Sequence, residues 1–421
     1  MIVGAIAVLA LLGAPMFAVF AALAWTAYAR DGIAPALILN ELNRLAAMPL
    51  LRAMPLFALG GYLLAESRAP ERLLRLSRAA FGWLPGGLPA VTILACTLFT
   101  AFTGASGVTL VALGGLLLPA LKADGYRDRY ALGLVTSGGN FGVLLVPSLP
   151  LILYGIIASP IAPEVTMERL VAAGLLPAAL GIAALGAHGA WSARQQSVPR
   201  TRFSARELGA ALWAARWEAP LPVLILLGIY SGRLVLSDAA VITAAYALVV
   251  ETLILREVKW TDVGRIARDA MILVGGVLVI LGMGMAITNW MVDQEIPQRL
   301  LRAVQSRIAS PLAFLLTLNV FLLAVGCAMD IYTAIVVIVP LLLPLGRAYG
   351  VDPLHLGMIV LANLAIGYST PPVGMNLFIA AIRFRRPLVE LVRASLPFIV
   401  VLLVVLGLIT YVPSISLIWA R

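Results

Sequence analysis

The sequence predicts an all-α polytopic membrane protein in which two related halves are inserted in opposite orientations, an inverted repeat. Three observations carry this: an extreme apolar composition, two pairs of short apolar arms joined by small residues, and one spacing that relates landmarks of the two halves. Of 421 residues, 62% are hydrophobic and 12% charged, with a mean hydropathy of +1.01. Soluble domains average about 45–50% apolar and about 25% charged. A soluble globule of this composition would have a greasy exterior. A soluble enzyme, a nucleic-acid-binding domain and a disordered chain are therefore excluded.

A helix needs about 20 apolar residues to cross ~30 Å of hydrocarbon. Full spans are expected at 2–28, 46–65, 130–157, 168–190, 219–235, 237–255, 268–290, 353–382 and 394–418. Residues 2–28 are too long for the apolar core of a signal peptide, and no basic residue precedes them, so a retained first helix is expected. Two regions differ. Residues 88–121 hold two short arms joined at Thr103-Gly104-Ala105-Ser106-Gly107, and residues 309–346 hold two similar arms joined near Gly326-Cys327-Ala328-Met329-Asp330. Both read as re-entrant helical hairpins, since such breaks survive at membrane depth only inside protein or beside a wet cavity.

Charge supplies the orientation. The net charge is +10, and 28 of the 30 basic residues are arginine. They gather in short loops, as the positive-inside rule expects of cytoplasmic loops. Segments 66–80, 191–217 and 383–393 are each net positive and fall on one side of the span layout. This predicts an inside N-terminus and an outside C-terminus, with the first hairpin opening from the cytoplasm and the second from outside. Within 191–217, Ser204 and Glu207 have capping-box spacing, and Trp213 and Trp217 follow beside Arg206 and Arg216. An interfacial amphipathic helix is expected there, the alternative being a plain basic linker. Cys96 and Cys327 lie in apolar runs and read as packing residues.

Leu116-Leu117-Leu118-Pro119 matches Leu341-Leu342-Leu343-Pro344, Gly125 matches Gly350 and Pro147 matches Pro372. One offset of 225 residues serves all three and superposes the hairpin tips. Because the spans before the two hairpins run oppositely, the repeat is inverted, as in secondary transporters. Each hairpin precedes an interrupted helix. The first break holds Ser137-Gly138-Gly139-Asn140 and Pro147-Ser148-Leu149-Pro150; the second runs from Gly367 to Gly374 through Pro371 and Pro372. Proline removes an amide donor and glycine lets the backbone open. The exposed carbonyls suit Na⁺, and opposed half-helix N-termini suit an anion. The chain thus divides into a scaffold helix and connection (1–45), a first repeat (46–190, with hairpin 88–121 and broken helix 130–157), a central interfacial and scaffold region (191–267), and a second repeat (268–421, with hairpin 309–346 and broken helix 353–382).

Several strings resemble a known family. They are Gly13-Ala14-Pro15-Met16-Phe17-Ala18, Met54-Pro55-Leu56-Phe57-Ala58-Leu59-Gly60-Gly61, Leu84-Pro85-Gly86-Gly87, and Gly228-Ile229-Tyr230-Ser231-Gly232 followed by Ser237-Asp238-Ala239-Ala240. The most specific is Asn363-Leu364-Ala365-Ile366-Gly367-Tyr368-Ser369-Thr370-Pro371-Pro372-Val373-Gly374-Met375-Asn376-Leu377-Phe378. Together they resemble the large membrane (M) subunit of the tripartite ATP-independent periplasmic (TRAP) transporters over nearly the whole chain. The resemblance implies an elevator-type transporter in the bacterial inner membrane, driven by Na⁺, with no organic cofactor, importing small organic anions. It implies two partners, a small four-helix membrane subunit and a soluble periplasmic substrate-binding protein, besides the lipid bilayer; nucleic acid is not among them. The chain departs from the family pattern at Ala105, Asn140, Val146 and Arg52.

The candidate Na⁺ ligands are Thr103, Gly104, Ser106, Gly138, Asn140, Gly326, Gly367 and Thr370. The candidate substrate contacts are Asp330, Ser106, Asn140, Pro371 and Asn376. Each has a plainer alternative. Ser and Thr can satisfy loose backbone ends, Asn140 can be a brace, and Asn376 can make an interhelical hydrogen bond. Asp330, a carboxylate deep in an apolar segment, is a functional candidate by default, and it would also suit the N-cap of a helix starting at Ile331. Arg52 is expected to snorkel to an interface. Two other functions compete. A stand-alone dicarboxylate or citrate symporter would share the fold. An intramembrane serine protease would use Ser106 within Gly104-Ala105-Ser106-Gly107, and needs His188 or His355 as its base.

Overall fold

The computed structural model describes residues 6, 14, 16–34, 36–46, 49–84, 86–196, 203–231, 233–371 and 373–420. Among the described residues the chain is helical, without strands. The N-terminal half comprises α1 (Met16–Arg30), α2 (Leu37–Ala46), α3 (Pro49–Glu66), α4 (Ala69–Phe81), α5 (Gly87–Thr103), α6 (Ser106–Ala123), α7 (Asp128–Ser137), a 3₁₀ turn (Asn140–Leu144), α8 (Leu149–Ala158) and α9 (Met167–Gln195). The central part holds α10 (Ala205–Ala214), α11 (Pro220–Tyr230) and α12 (Leu236–Val249), the last running into a π turn at Val250–Ile254. The C-terminal half comprises α13 (Trp260–Asp293), α14 (Ile296–Gln305), α15 (Pro311–Ala328), α16 (Ile331–Ala348), α17 (Pro353–Gly367), α18 (Met375–Phe384), α19 (Leu388–Tyr411) and α20 (Ser414–Leu417).

The helix starts keep the sequence spacing. Ser106 and Ile331 begin 18-residue helices, and Asp128 and Pro353 begin the next ones; each pair is 225 residues apart. The turns between the paired arms are built differently. Gly104 ends α5 in the left-handed region at φ +74, and a Cβ there would sit 2.6 Å from the Leu149 side chain. Glycine meets both conditions. In the second turn Met329 is extended, and Asp330 caps α16 by accepting from the Thr333 amide at 2.9 Å.

The broken helices form the centre of the molecule. Residues 131–158 are buried apart from half-buried Leu145, and every residue of α17 is buried. Backbone groups freed by the first break therefore lie against protein rather than lipid, whereas in the second break Tyr368, Thr370 and Pro371 are half-buried and Val373 is exposed. Ser148 closes the first break by accepting from the Leu151 amide and donating to the Val143 carbonyl at 2.7 Å. Asp352 starts α17 by accepting from the Leu354 amide at 2.8 Å, with Pro353 in the first turn. A buried polar chain ties α15, α17 and α19 together. Asn363 donates to Asn319 at 2.7 Å, and Asn319 donates to Thr410 at 3.1 Å.

Several expectations need correction. Segment 66–80 is not a loop: α4 occupies most of it, laying Leu74 and Ala69 inward. Residues 219–235 yield only the 11-residue α11, about 16 Å long and too short for a full crossing. Helices α2, within the 1–45 connection, and α14 had no counterpart in the reading of spans. The two arm pairs are also unlike. α5 and α6 pack along each other, whereas α15 and α16 barely touch beyond their turn, and α15 lies on α17 instead. Its Asn319 bond and a close glycine contact hold it there. The start of the first span and the Arg52 side chain fall outside the described residues.

Helix α10 occupies the expected amphipathic stretch. Ser204 accepts from the Glu207 amide at 3.3 Å, which is one half of a capping box. The Glu207 carboxylate instead reaches Arg75 of α4, whose Nε donates at 2.8 Å. That hydrogen bond holds the Glu207 carboxyl below its usual range. Trp213 is 71% exposed, with the Arg216 guanidinium 4.5 Å over its ring.

An ionic cluster pins α4 to the segment between the two halves. Arg72 bonds Glu218 and Glu257, and lies 3.8 Å from Glu251 in the π turn. The Glu218 and Glu251 side chains are 1% and 0% exposed. Burial disfavours the charged Glu257 carboxylate, but hydrogen bonds from Arg72 and the Arg68 amide outweigh it and hold its pKa below the usual range.

Candidate functional site

Four polar side chains from both halves meet where the broken helices and the first turn converge. Ser106 is the first residue of α6, Asn140 opens the 3₁₀ turn, Ser369 lies in the second break and Asn376 is the second residue of α18. Asn140, Ser369 and Asn376 are fully buried. Asn140 donates to Ser369 at 3.0 Å, and the Ser369 hydroxyl lies 3.1 Å from the Asn140 carbonyl oxygen. The Asn376 amide donates to Ser106 at 3.0 Å and lies 3.3 Å from both Asn140 Oδ1 and Ser369 Oγ. Only hydroxyls and amides make up this cluster. It offers acceptors for a hard cation and donors for a carboxylate, at the N-terminal ends of α6 and α18, where the helix dipole favours negative charge.

The predicted residues divide sharply here. Ser106, Asn140 and Asn376 come together, although far apart in sequence. Thr103 turns back, its hydroxyl donating to the Phe99 carbonyl at 2.9 Å and lying 3.2 Å from Thr109. The Gly104 carbonyl accepts from Tyr332 at 2.8 Å, which links the two turns. The Gly138 carbonyl accepts from Thr97 at 3.3 Å. Thr370 donates to the Ile366 carbonyl at 2.8 Å, one helical turn back. Pro371 lies half-buried in the break. Asp330 is a helix cap. In these hydrogen bonds Thr103 and Thr370 satisfy loose backbone ends, the plainer of their two readings.

Gly326 and Gly367 have a packing role. A Cβ on Gly367 would meet Gly326 Cα at 2.7 Å, and one on Gly326 would meet Leu364 Cα at 2.9 Å. The two backbones touch, and the Gly374 amide donates to the Cys327 carbonyl at 3.0 Å beside them. Gly367→Ala and Gly326→Ala are each expected to destabilise the protein by about 1–3 kcal/mol through overpacking. The double variant should lose less than the sum, because both crowd one contact; unfolding of the purified protein checks this.

Ser369 and Tyr332 were missed by sequence reasoning. Ser369 stands in the motif beside Thr370, but which hydroxyl faces inward depends on helix phase after a break. The Ser106 hydroxyl has an amide partner. His355 engages Ser416 at 3.3 Å and the Thr410 carbonyl at 3.2 Å, while His188 packs among Tyr130, Trp191 and Phe398. These contacts give Ser106 no imidazole base.

Residues 3–415 match the family described as "Tripartite ATP-independent periplasmic transporter, DctM component". The C4-dicarboxylate TRAP transporter large permease protein DctM of Pseudomonas aeruginosa is 33% identical over 368 residues, covering 87% of this chain and 85% of that protein. The sialic acid TRAP transporter large permease protein SiaM of Vibrio cholerae is 30% identical over 369 residues, with coverages of 87% and 85%. The isethionate TRAP transporter permease protein DctMQ of Oleidesulfovibrio alaskensis is 33% identical over 371 residues; the match spans 87% of this chain but 58% of that longer protein. The crystal structure of the Alcanivorax borkumensis YdaH transporter shares the fold, with a TM-score of 0.65 at 15% identity, covering 91% of this chain and 88% of that one. Among the described residues, eight helices are long and apolar enough to cross a membrane. The chain belongs to the DctM-component family of the tripartite ATP-independent periplasmic transporters, and is a multi-pass inner-membrane component of a secondary transporter.

Proposed function

We propose that this chain is the large transmembrane subunit of a Na⁺-driven importer of small organic anions such as carboxylates and sugar acids. A periplasmic binding protein delivers the substrate, and a small four-helix membrane subunit completes the scaffold. The observation that carries this reading is the neutral cluster of Ser106, Asn140, Ser369 and Asn376, drawn from both halves. Acceptor oxygens for Na⁺ and donors for an anion lie within one hydrogen-bonded group. The 225-residue register of the helix starts supports an inverted repeat. The two arm pairs and the broken helices would move as a body against α3, α12 and α13, carrying the cluster from one side to the other. Relatives named for C4-dicarboxylates, isethionate and sialic acid favour an acidic substrate.

The test is uptake by proteoliposomes holding this chain and the small subunit, with an inward Na⁺ gradient and the ligand retained by the purified binding protein. Uptake is expected to need both the gradient and the binding protein. Uptake without the binding protein would overturn the tripartite reading. Asp330→Asn separates charge from capping, since Asn caps as well as Asp. Near loss of uptake with unchanged stability is expected; normal uptake would leave Asp330 a cap alone.

A further inference from the structure

A second site lies away from the cluster, between α4 and α10. A pocket of about 250 Å³ is lined by Arg75, Arg78, Trp83, Phe203, Ser204 and Glu207. It has room for roughly eight waters at ~30 Å³ each, the scale of a phosphoglycerol headgroup without its chains. We propose that this pocket binds the phosphodiester headgroup of an anionic phospholipid of the cytoplasmic leaflet. The proposal goes beyond the transport reading and uses only its orientation.

Four features support it. Arginine forks match phosphate oxygens in geometry and charge. Among the described residues, Arg75 is held by Glu207 through Nε and Arg78 by Asp124 through Nη2 at 2.6 Å, so each guanidinium keeps N–H groups for a ligand. The Ser204 oxygen accepts from the Glu207 amide, which leaves its hydroxyl proton to donate. Trp83 and Phe203 meet edge to face at 6.2 Å, and are 46% and 53% exposed. Half-exposed aromatics beside arginines mark the headgroup level of a bilayer. Both helices also belong to the arginine-rich side of the sequence, where anionic lipid is attracted.

The same phosphate chemistry could come from free phosphate, so the experiment separates the two. Delipidated full-length chain in detergent is titrated with dioleoylphosphatidylglycerol, dioleoylglycerol or inorganic phosphate, and binding is read by native mass spectrometry and thermal shift. Wild type should bind phosphatidylglycerol in preference to dioleoylglycerol, with no response to inorganic phosphate. The double variant Arg75→Ala/Arg78→Ala should bind it at least about tenfold more weakly. Glu207→Gln should bind it more tightly, because it removes the opposing charge and frees Arg75. That opposite sign distinguishes a ligand site from a merely structural ion pair, and it stands even if the double variant folds poorly. Equal binding of dioleoylglycerol, a thermal shift with inorganic phosphate equal to that with phosphatidylglycerol, or Glu207→Gln binding no better than wild type would each overturn the proposal.

Discussion

Replacing Arg72 by Met is expected to destabilise the folded protein by about 3–5 kcal/mol, the range for removing one partner of a buried ion pair. Arg72 is the guanidinium between Glu218, Glu251 and Glu257, and its own side chain is 14% exposed. Without it, two carboxylates buried at 1% and 0% exposure lose their counter-charge. Protonation would relieve part of that penalty, which places the expectation inside the range rather than beyond it. The loss should be rescued in large part by adding Glu218→Gln and Glu251→Gln, because a neutral group needs no counter-ion. Denaturant unfolding of the three proteins in one detergent checks both statements. An Arg72→Met protein as stable as wild type would show that the cluster does not pin α4.

The second large effect belongs to the polar cluster. Asn140→Leu and Asn376→Leu keep approximate volume but remove every donor and acceptor. Asn376 alone touches Ser106, Asn140 and Ser369. Each hydrogen bond to a charged ligand is worth about 1.5–3 kcal/mol. Loss of one such contact predicts a fall in uptake of about ten- to hundredfold, with folded protein retained. Residues in one network are not independent, so Asn140→Ala and Asn376→Ala should couple by about 0.5–3 kcal/mol. Uptake rates of the two single variants and the double variant measure that coupling directly.

What could be read in the sequence follows from the range of the physics. Gly104, Pro371 and Asp330 act on their own backbone, so the turns and breaks were visible as interruptions in apolar texture. The meeting of Ser106 with Asn376 was not, because it joins residues 270 apart. The choice of Ser369 over Thr370 depends on how the chain leaves α17. Arg72 looked like a loop charge, since its partners lie 146 and 185 residues away. The same charges hid α4: with Arg68, Glu71, Arg72, Arg75 and Arg78 in one stretch, its inward Leu74 and Ala69 were outweighed. The unlike packing of the two arm pairs had no sequence signal, because equal arm lengths do not fix the angle between them. Gly326 and Gly367 were legible as special positions, but their mutual contact was not.

Sodium binding tests the central claim, that the cluster drawn from both halves is where ion and substrate are held. Purified protein is unfolded by heat in sodium chloride and in choline chloride at matched ionic strength. A ligand that binds only the native state raises stability in proportion to its occupancy. Wild type should be more stable in sodium, and Asn140→Ala and Ser106→Ala should each lose most of that difference, measured against their own stability in choline. A full sodium-dependent shift in both variants would contradict the assignment and place the ion elsewhere.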